Sequence, residues 1–230
     1  MKIALIGTAI IAAAAGTAVA QDSIAYWAQN DNTLSGGGFG FEDGDFPQLA
    51  DFGAQAGSAT LEPKGGLTGS ITGGVYDFVQ SFSGSTTNAQ FGEGSGGSIA
   101  LQGGTNNGNN GAWIDLDFDG SSYTDILFSF AGRGTGTGFK DVDIDAYNGD
   151  ILIGSIAADI DLTGGFALYN FSTTLLNNVT DARIRMTFDG ASSTTGNNRL
   201  DNLFIQGTIP TPASAVLLGL GGLAAVRRRR

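Results

Sequence analysis

Apolar and polar residues alternate along the middle of the chain with the two-residue period of β-strands. In Ala112–Phe118, the apolar side chains of Ile114, Leu116 and Phe118 occupy one side. Because successive side chains of a strand point to opposite faces, this pattern predicts a strand with one buried face. The same alternation recurs in six further segments, which are residues 23–27, 125–130, 141–147, 150–156, 182–188 and 199–208.

Turn-forming residues separate these segments. Asp119-Gly120-Ser121-Ser122 follows one strand, and Asn148-Gly149 is a strong signal for a two-residue hairpin. Ten or so turn-linked strands, without helical periodicity or an internal repeat, predict an all-β, two-sheet jelly-roll sandwich rather than a solenoid or propeller. The predicted core consists of Ile114, Leu116, Phe118, Ile126, Phe128, Phe130, Val142, Ile144, Ile184, Met186 and Phe188.

The first twenty residues have the three parts of a secretory signal peptide. Lys2 supplies the positive charge, residues 3–15 form the apolar segment, and Ala18-Val19-Ala20 fits the small-x-small cleavage pattern. Cleavage after Ala20 leaves a mature chain that begins at Gln21. We therefore expect an exported protein.

The last residues, 209–230, also form a three-part segment. A Pro210-Thr211-Pro212 turn precedes an apolar run over residues 213–226, and Arg227, Arg228, Arg229 and Arg230 end the sequence. As a helix the apolar run is about 21 Å long, short of the roughly 30 Å hydrocarbon core of a bilayer. The arginines are expected to stay cytoplasmic, which leaves the preceding domain outside.

This C-terminal segment resembles the PEP-CTERM sorting signal of Gram-negative surface proteins, with Thr211 in place of the usual glutamate between the prolines. The resemblance implies a transient membrane anchor, cut near the Pro-Thr-Pro turn by an exosortase-type membrane protease. The protein would then reach the cell surface or the extracellular polysaccharide matrix. The predicted organisation is a signal peptide (1–20), a β-sandwich domain (21–208) and a sorting tail (209–230).

Charge and composition exclude several function classes. Residues 21–209 contain six cations and all 22 acids, a net charge of −16 that repels nucleic acids and anionic lipids. The sequence has no histidine and no cysteine, which excludes Ser-His-Asp chemistry, thiol nucleophiles and zinc sites built from those residues. A pair of aspartates could still serve a glycosidase.

Two aspartate patterns raise the question of a metal. Asp115-x-Asp117-x-Asp119 opens like an EF-hand loop, but its twelfth position is Ile126 rather than glutamate. We interpret these aspartates as solvent-facing strand positions. The same interpretation applies to Asp141, Asp143 and Asp145, which alternate with apolar residues.

A second metal hypothesis joins the two ends of the domain. Residues 40–44 (GFEDG) and 198–202 (NRLDN) resemble the two halves of a structural calcium site in jelly-roll carbohydrate-binding modules. Asp201 is predicted to share the inward face of Leu203 and Ile205, where a carboxylate needs a partner. The partner of the Asp201 carboxylate can be a backbone amide, the Arg199 guanidinium, or a calcium ion that it shares with Glu42.

Three function classes follow from these features. The sorting tail and the missing catalytic residues favour a non-enzymatic structural or adhesive protein of the cell surface. The alternative is a carbohydrate-binding module, in which Trp113, Tyr123 or Tyr147 would stack on sugar rings, although cross-strand packing is our preferred interpretation of these aromatics. A secreted polysaccharide hydrolase or lyase is the third class, and a single Thr135-x-Thr137 pair gives little support for ice binding.

The tail prediction can be checked by mass. The intact mass of the protein recovered from the cell surface or the medium should lack residues 227–230, because the arginines lie on the far side of the predicted cut. Surface-exposed protein that retains all four arginines would contradict the sorting hypothesis.

Overall fold

The computed structural model describes residues 21–30, 39–65, 71–72 and 75–210, with residues 39, 40, 42, 43, 71, 72 and 75–77 described by their backbone alone. The predicted signal peptide, with Ala18 and Ala20, lies outside the described residues. So does the sorting tail from Thr211 onward, including Pro212 and Arg227–Arg230, whereas Pro210 is exposed at the end of the described chain. No helix in the described ranges is long and apolar enough to span a bilayer.

Fourteen strands follow one another within the described residues. They are β1 (Asp22–Trp27), β2 (Phe39–Glu42), β3 (Gln48–Leu49), β4 (Thr60–Lys64), β5 (Ile71–Thr72), β6 (Val75–Ser83), β7 (Gly97–Gln102), β8 (Ala112–Phe118), β9 (Thr124–Gly134), β10 (Asp141–Asn148), β11 (Ile151–Ala157), β12 (Ala167–Thr173), β13 (Ala182–Asp189) and β14 (Asn197–Thr208). Two single 3₁₀ turns, Asp43–Asp45 and Thr105–Asn107, are the helical elements of the same ranges.

The strands form two antiparallel sheets. An eight-stranded sheet has the order β12-β9-β14-β7-β6-β2, with β1 added to β14 and β5 added to β6. A six-stranded sheet has the order β11-β10-β13-β8-β4-β3. From β7 to β14 almost every connection crosses from one sheet to the other, which is the pattern of a jelly roll. The predicted all-β two-sheet architecture is confirmed.

The core lies between the inner faces of the two sheets. All eleven predicted core residues are buried, with Phe118 the most exposed at 5%. In the six-stranded sheet the inner face is continuous, since Ile114 pairs with Met186, and Met186 pairs with Ile144. The period-two alternation of these strands therefore separates a buried, apolar inner face from a charged outer face.

Truncation of a central core residue should destabilise the domain strongly. Phe128 is fully buried in β9, and we expect Phe128→Ala to cost about 3–5 kcal/mol because it loses buried area and leaves a cavity. Leu168→Ala, at a position that is 54% exposed in β12, should cost under about 0.5 kcal/mol. Urea denaturation of both variants measures the difference, and equal losses would contradict the assigned core.

Candidate ligand-binding site

Asp201 does not point into the sandwich, contrary to the sequence-based prediction. It pairs with Ala131 and lies two residues after Arg199, on the outer face of the eight-stranded sheet. The ladder between β14 and β9 shifts register between Asp201 and Phe204, and Asn202 there has a left-handed φ of 50°. This bulge reverses the side-chain alternation, so Leu203 and Ile205 face the core while Asp201 faces outward.

Backbone amides satisfy the Asp201 carboxylate, which is one of the alternatives that the sequence left open. The amide of Ser85 donates to Oδ2 at 2.6 Å, and the amide of Asn202 donates to Oδ1 at 2.8 Å. The segment that contains Ser85 covers Asp201, which is fully buried. Burial raises the pKa of Asp201 to about 7, although both amide hydrogen bonds favour the charged form.

Glu42, the other predicted calcium ligand, lies in a different part of the same sheet. β6 and β7 separate its strand β2 from β14. Leu200, next to Asp201, pairs with Ile99 of β7, and Ile99 pairs with Ser81 of β6. Glu42 pairs with Val75, which lies six residues from Ser81 along β6. Six residues of strand span about 20 Å, far beyond the reach of one shared calcium ion. The predicted site is not assembled.

The Asp115–Asp119 run belongs to an ion-pair ladder rather than a metal loop. Arg183 Nε lies 2.5 Å from Asp117 Oδ1, and Asp119 accepts the amide of Ser121 at the following turn. Asp115 is 1% exposed, which corrects its predicted solvent-facing position. Arg185, opposite it on β13, makes two hydrogen bonds to its carboxylate, at 2.7 and 2.9 Å.

Three other carboxylates lie close enough together to hold a cation. The ligand oxygens of Asp141, Asp143 and Asp159 are all within 4.8 Å of one another. Burial raises the pKa of Asp141, and the charges of Asp143 and Asp159 add to the effect. Such acidic groups are common on protein surfaces without an ion, and the side chains of Asp143 and Asp159 are exposed. Asp145 lies outside the cluster.

The aromatic residues considered for stacking on sugar rings pack against other side chains of the protein. The Arg185 guanidinium lies 4.5 Å from the ring centre of Trp113 and 4.7 Å from that of Tyr147. Gly65 lies against the Trp113 ring, and Tyr123 is 7% exposed. These contacts support the cross-strand packing interpretation. Tyr123 is buried, whereas stacking on a sugar ring would require an exposed side chain.

A cavity of about 330 Å³ opens at one corner of the sandwich, where β1 ends beside the edge strand β3. Its size falls in the range of small-molecule sites in proteins. Two carboxylates and two amides line it together with apolar groups. The lining residues are Trp27, Gln29, Asp45, Pro47, Gln48, Leu49 and Asp51.

Hydrogen bonds fix the polar groups of this cavity relative to one another. Gln29 Nε2 donates to Gln48 Oε1 at 2.8 Å, and the Trp27 indole donates to the Gln48 carbonyl at 3.3 Å. Asp51 Oδ2 accepts the amide of Ala28 at 2.7 Å. The loop after β1 and the segment around β3 are thereby joined across the cavity.

The backbone at Gln29 is held in an uncommon conformation. Its φ is 58°, in the left-handed region that non-glycine residues rarely occupy, and the residue is 5% exposed. Such strain costs of order 1 kcal/mol and clusters at functional sites. Here it turns the Gln29 amide toward Gln48 and the cavity.

Sequence patterns gave little indication of this cavity. Trp27 belongs to a predicted strand, but the other lining residues lie in residues 29–51, which have no sustained alternation. The polar lining residues also lie close together in the sequence, and their spacing does not match that of a known kind of site. The nearest signal was a cluster of Asp, Gln and Pro residues in a turn-rich segment.

Comparisons with known proteins do not assign this chain to a family. No protein-family model and no curated protein matches the sequence. A family 61 carbohydrate-binding module solved with β-1,4-galactotriose is 12% identical, with a TM-score of 0.40 over 63% of this chain and 86% of that chain. A family 4 carbohydrate-binding module is 13% identical, with a TM-score of 0.35 over 56% and 87%.

The enzymatically active domain of tailspike protein 4 from bacteriophage CBA120 is also similar. It is 17% identical, with a TM-score of 0.39, and the match covers 66% of this chain but 19% of that one. Likeness of this degree does not identify a ligand for this chain.

The buried Asp201 carboxyl should make stability fall as pH rises. Its folded pKa of about 7 lies above its ordinary value of 3.8, so the folded state holds an extra proton between these values. That contribution to stability is present at low pH and is lost as pH rises through about 7. Melting temperatures of the wild type and Asp201→Asn at pH 5 and pH 8 measure the effect. The wild type should lose more than the variant, and equal losses would contradict the assignment.

Proposed function

We propose that this protein binds carbohydrate in the corner cavity and does so without turnover. The observation that carries the proposal is the convergence of two carboxylates, Asp45 and Asp51, and two amides, Gln29 and Gln48, on one cavity of about 330 Å³. Such a set offers fixed acceptors and donors to a ligand rich in hydroxyl groups.

Sugars match the chemistry of this cavity in two respects. Each hydroxyl both donates and accepts, so a carboxylate can take its proton in a hydrogen bond while an amide N–H approaches its oxygen. The apolar side chains of Pro47 and Leu49 lie beside these groups, and Leu49 is 51% exposed. An apolar rim can pack against the C–H face of a sugar ring.

The strongly acidic domain favours an uncharged ligand at this position. Both charged residues of the cavity are aspartates, which would repel a carboxylate or phosphate group. A neutral glycan avoids this repulsion. We therefore infer a neutral saccharide as the ligand class of the cavity.

Export places the proposed ligand outside the cell. The signal peptide and the sorting tail, taken from the sequence, would deliver the domain to the surface or to the polysaccharide matrix. Binding to a glycan there would give an adhesive role, without a covalent step. Two carboxylates in one cavity make a glycoside hydrolase the second candidate.

A glycan array with the purified protein tests the proposal. Asp45→Ala should weaken binding of the selected neutral oligosaccharide by about tenfold or more, because it removes a charged hydrogen-bond acceptor. Asp22→Ala is the matched control, since Asp22 is an exposed aspartate at the opposite end of β1 from Trp27. Melting temperatures of both variants confirm that each is folded.

Three results would count against carbohydrate binding without turnover at this cavity. The array could select no saccharide, or Asp22→Ala could weaken binding as much as Asp45→Ala. Release of reducing ends from the selected saccharide, lost in Asp45→Ala, would instead establish the hydrolase.

A further inference from the structure

Two arginines on the eight-stranded sheet have no acidic partner among the described residues, although the domain is rich in acids. Of the six cations in residues 21–209, Lys64, Arg183 and Arg185 form ion pairs, and Lys140 donates to the Thr163 hydroxyl. Among the described residues, neither Arg133 nor Arg199 pairs with a carboxylate. With 22 acids in the sequence, this is an unusual surface.

The two arginines lie directly opposite each other. Arg199 of β14 pairs with Arg133 of β9 in the antiparallel ladder. Phe128 and Phe130 of β9 face the core, so the alternation places Arg133 on the outer face, and Arg199 shares that face. Both side chains are partly exposed.

Each guanidinium rests on an aromatic ring. Arg199 lies 4.3 Å from the ring centre of Phe82 on β6, and Arg133 lies 5.7 Å from that of Phe166, just before β12. Ala100 of β7, the residue paired with Arg199, is small enough for the arginine to cross it toward Phe82. Stacking fixes the planes of the guanidinium groups and leaves their N–H edges for in-plane hydrogen bonds.

Few of these N–H groups are used within the described part of the protein. Arg199 donates from Nε to Asn197 Oδ1 at 3.3 Å, and Arg133 makes no hydrogen bond there. The terminal nitrogens of both side chains therefore remain for a ligand. Gln80 and Gln102, joined by a hydrogen bond of 3.2 Å, add amide groups to the same face.

Stability does not account for this arrangement. Like charges directly opposite each other on paired strands are destabilising, and burial together with the charge of Arg133 lowers the pKa of Arg199. An anionic group bound at each guanidinium would offset the repulsion. The geometry therefore fits a site that is completed by a negatively charged ligand.

We propose that Arg133 and Arg199 bind the anionic groups of an acidic polysaccharide, either the carboxylates of uronic acids or sulfate esters. Guanidinium groups match the planar, two-oxygen edge of such anions. An open sheet face suits an extended polymer better than a small anion, which needs an enclosed site. This surface is separate from the corner cavity, and the proposal does not depend on the cavity's ligand.

A polynucleotide fits the surface less well. The rings of Phe82 and Phe166 are covered by guanidinium groups and are not open for base stacking. Non-specific binding of single-stranded nucleic acid relies on stacking of this kind, which an acidic polysaccharide does not need.

Affinity electrophoresis of the purified protein tests the proposal. Gels contain sodium alginate for carboxylates, dextran sulfate for sulfate esters, or neutral dextran, each at low and high salt. We expect retardation by at least one of the two anionic polymers, weakened by added salt and absent with dextran. Arg133→Gln and Arg199→Gln should each weaken that binding by about tenfold, since each removes a charge-assisted contact.

The controls separate this surface from general charge effects and from the cavity. Lys64→Gln removes a cation from β4 of the six-stranded sheet and should bind like the wild type, as should Asp45→Ala. Arg199→Lys keeps the charge but loses the planar fork, so it should bind less well than the wild type. Melting temperatures of the glutamine variants should not fall by more than a few degrees, because they relieve repulsion.

Retardation by alginate alone would assign the site to carboxylates, and retardation by dextran sulfate alone would assign it to sulfate esters. The proposal is overturned if neither polymer retards the protein, or if the Arg133→Gln/Arg199→Gln double variant is retarded like the wild type. Equal binding to poly(dT), lost in the same variants, would also overturn it.

Discussion

The hydrogen-bond ladder of β14 is the interaction on which the rest of the structure depends. This strand, 12 residues long, pairs with β9 along one edge. Its other edge is shared, since β7 pairs with its first residues and β1 with its last ones. The register shift after Asp201 lies between the part of β14 that pairs with β7 and the part that pairs with β1. Because Leu203 pairs with Trp27, the ladder also positions one of the residues that line the corner cavity.

The same strand brings Arg199 opposite Arg133 and holds the segment around Ser85 through Asp201. Arg199 and Asp201 thus belong to one strand, and Trp27 of the corner cavity pairs with it. A change in its register would move all three. Its alternation, including the bulge, therefore positions the proposed binding residues as well as the core residues.

Most of the sandwich could be predicted from the sequence because its strands are regular. Ala112–Phe118 matches β8 at both ends, and the eleven core positions are all buried. The two-residue period gave a wrong side-chain orientation where β14 is irregular. The alternation assigned Asp201 to the inner face, and a single bulge at Asn202 reversed it.

Two other features depend on contacts between residues far apart in sequence. Asp115 is buried because Arg185, 70 residues later, meets it across the β8–β13 ladder. The cavity gathers residues from the end of β1 and from the segment around β3, where no alternation marks a strand. Arg133 and Arg199 form no ion pair within the described ranges, which the structure shows only through the ion pairs of the other cations.

The central claim, that the corner cavity binds carbohydrate, can be tested by NMR titration with the oligosaccharide that the array selects. The sequence contains two tryptophans, and their indole N–H resonances report on different places. Trp27 lines the cavity, whereas Trp113 lies on the outer face of the six-stranded sheet under Arg185. If the saccharide binds in the cavity, the resonances of the Trp27 indole and of the Gln29 and Gln48 amides shift while that of the Trp113 indole does not. A shift confined to Trp113, or no shift at any cavity residue on saturation, would contradict it.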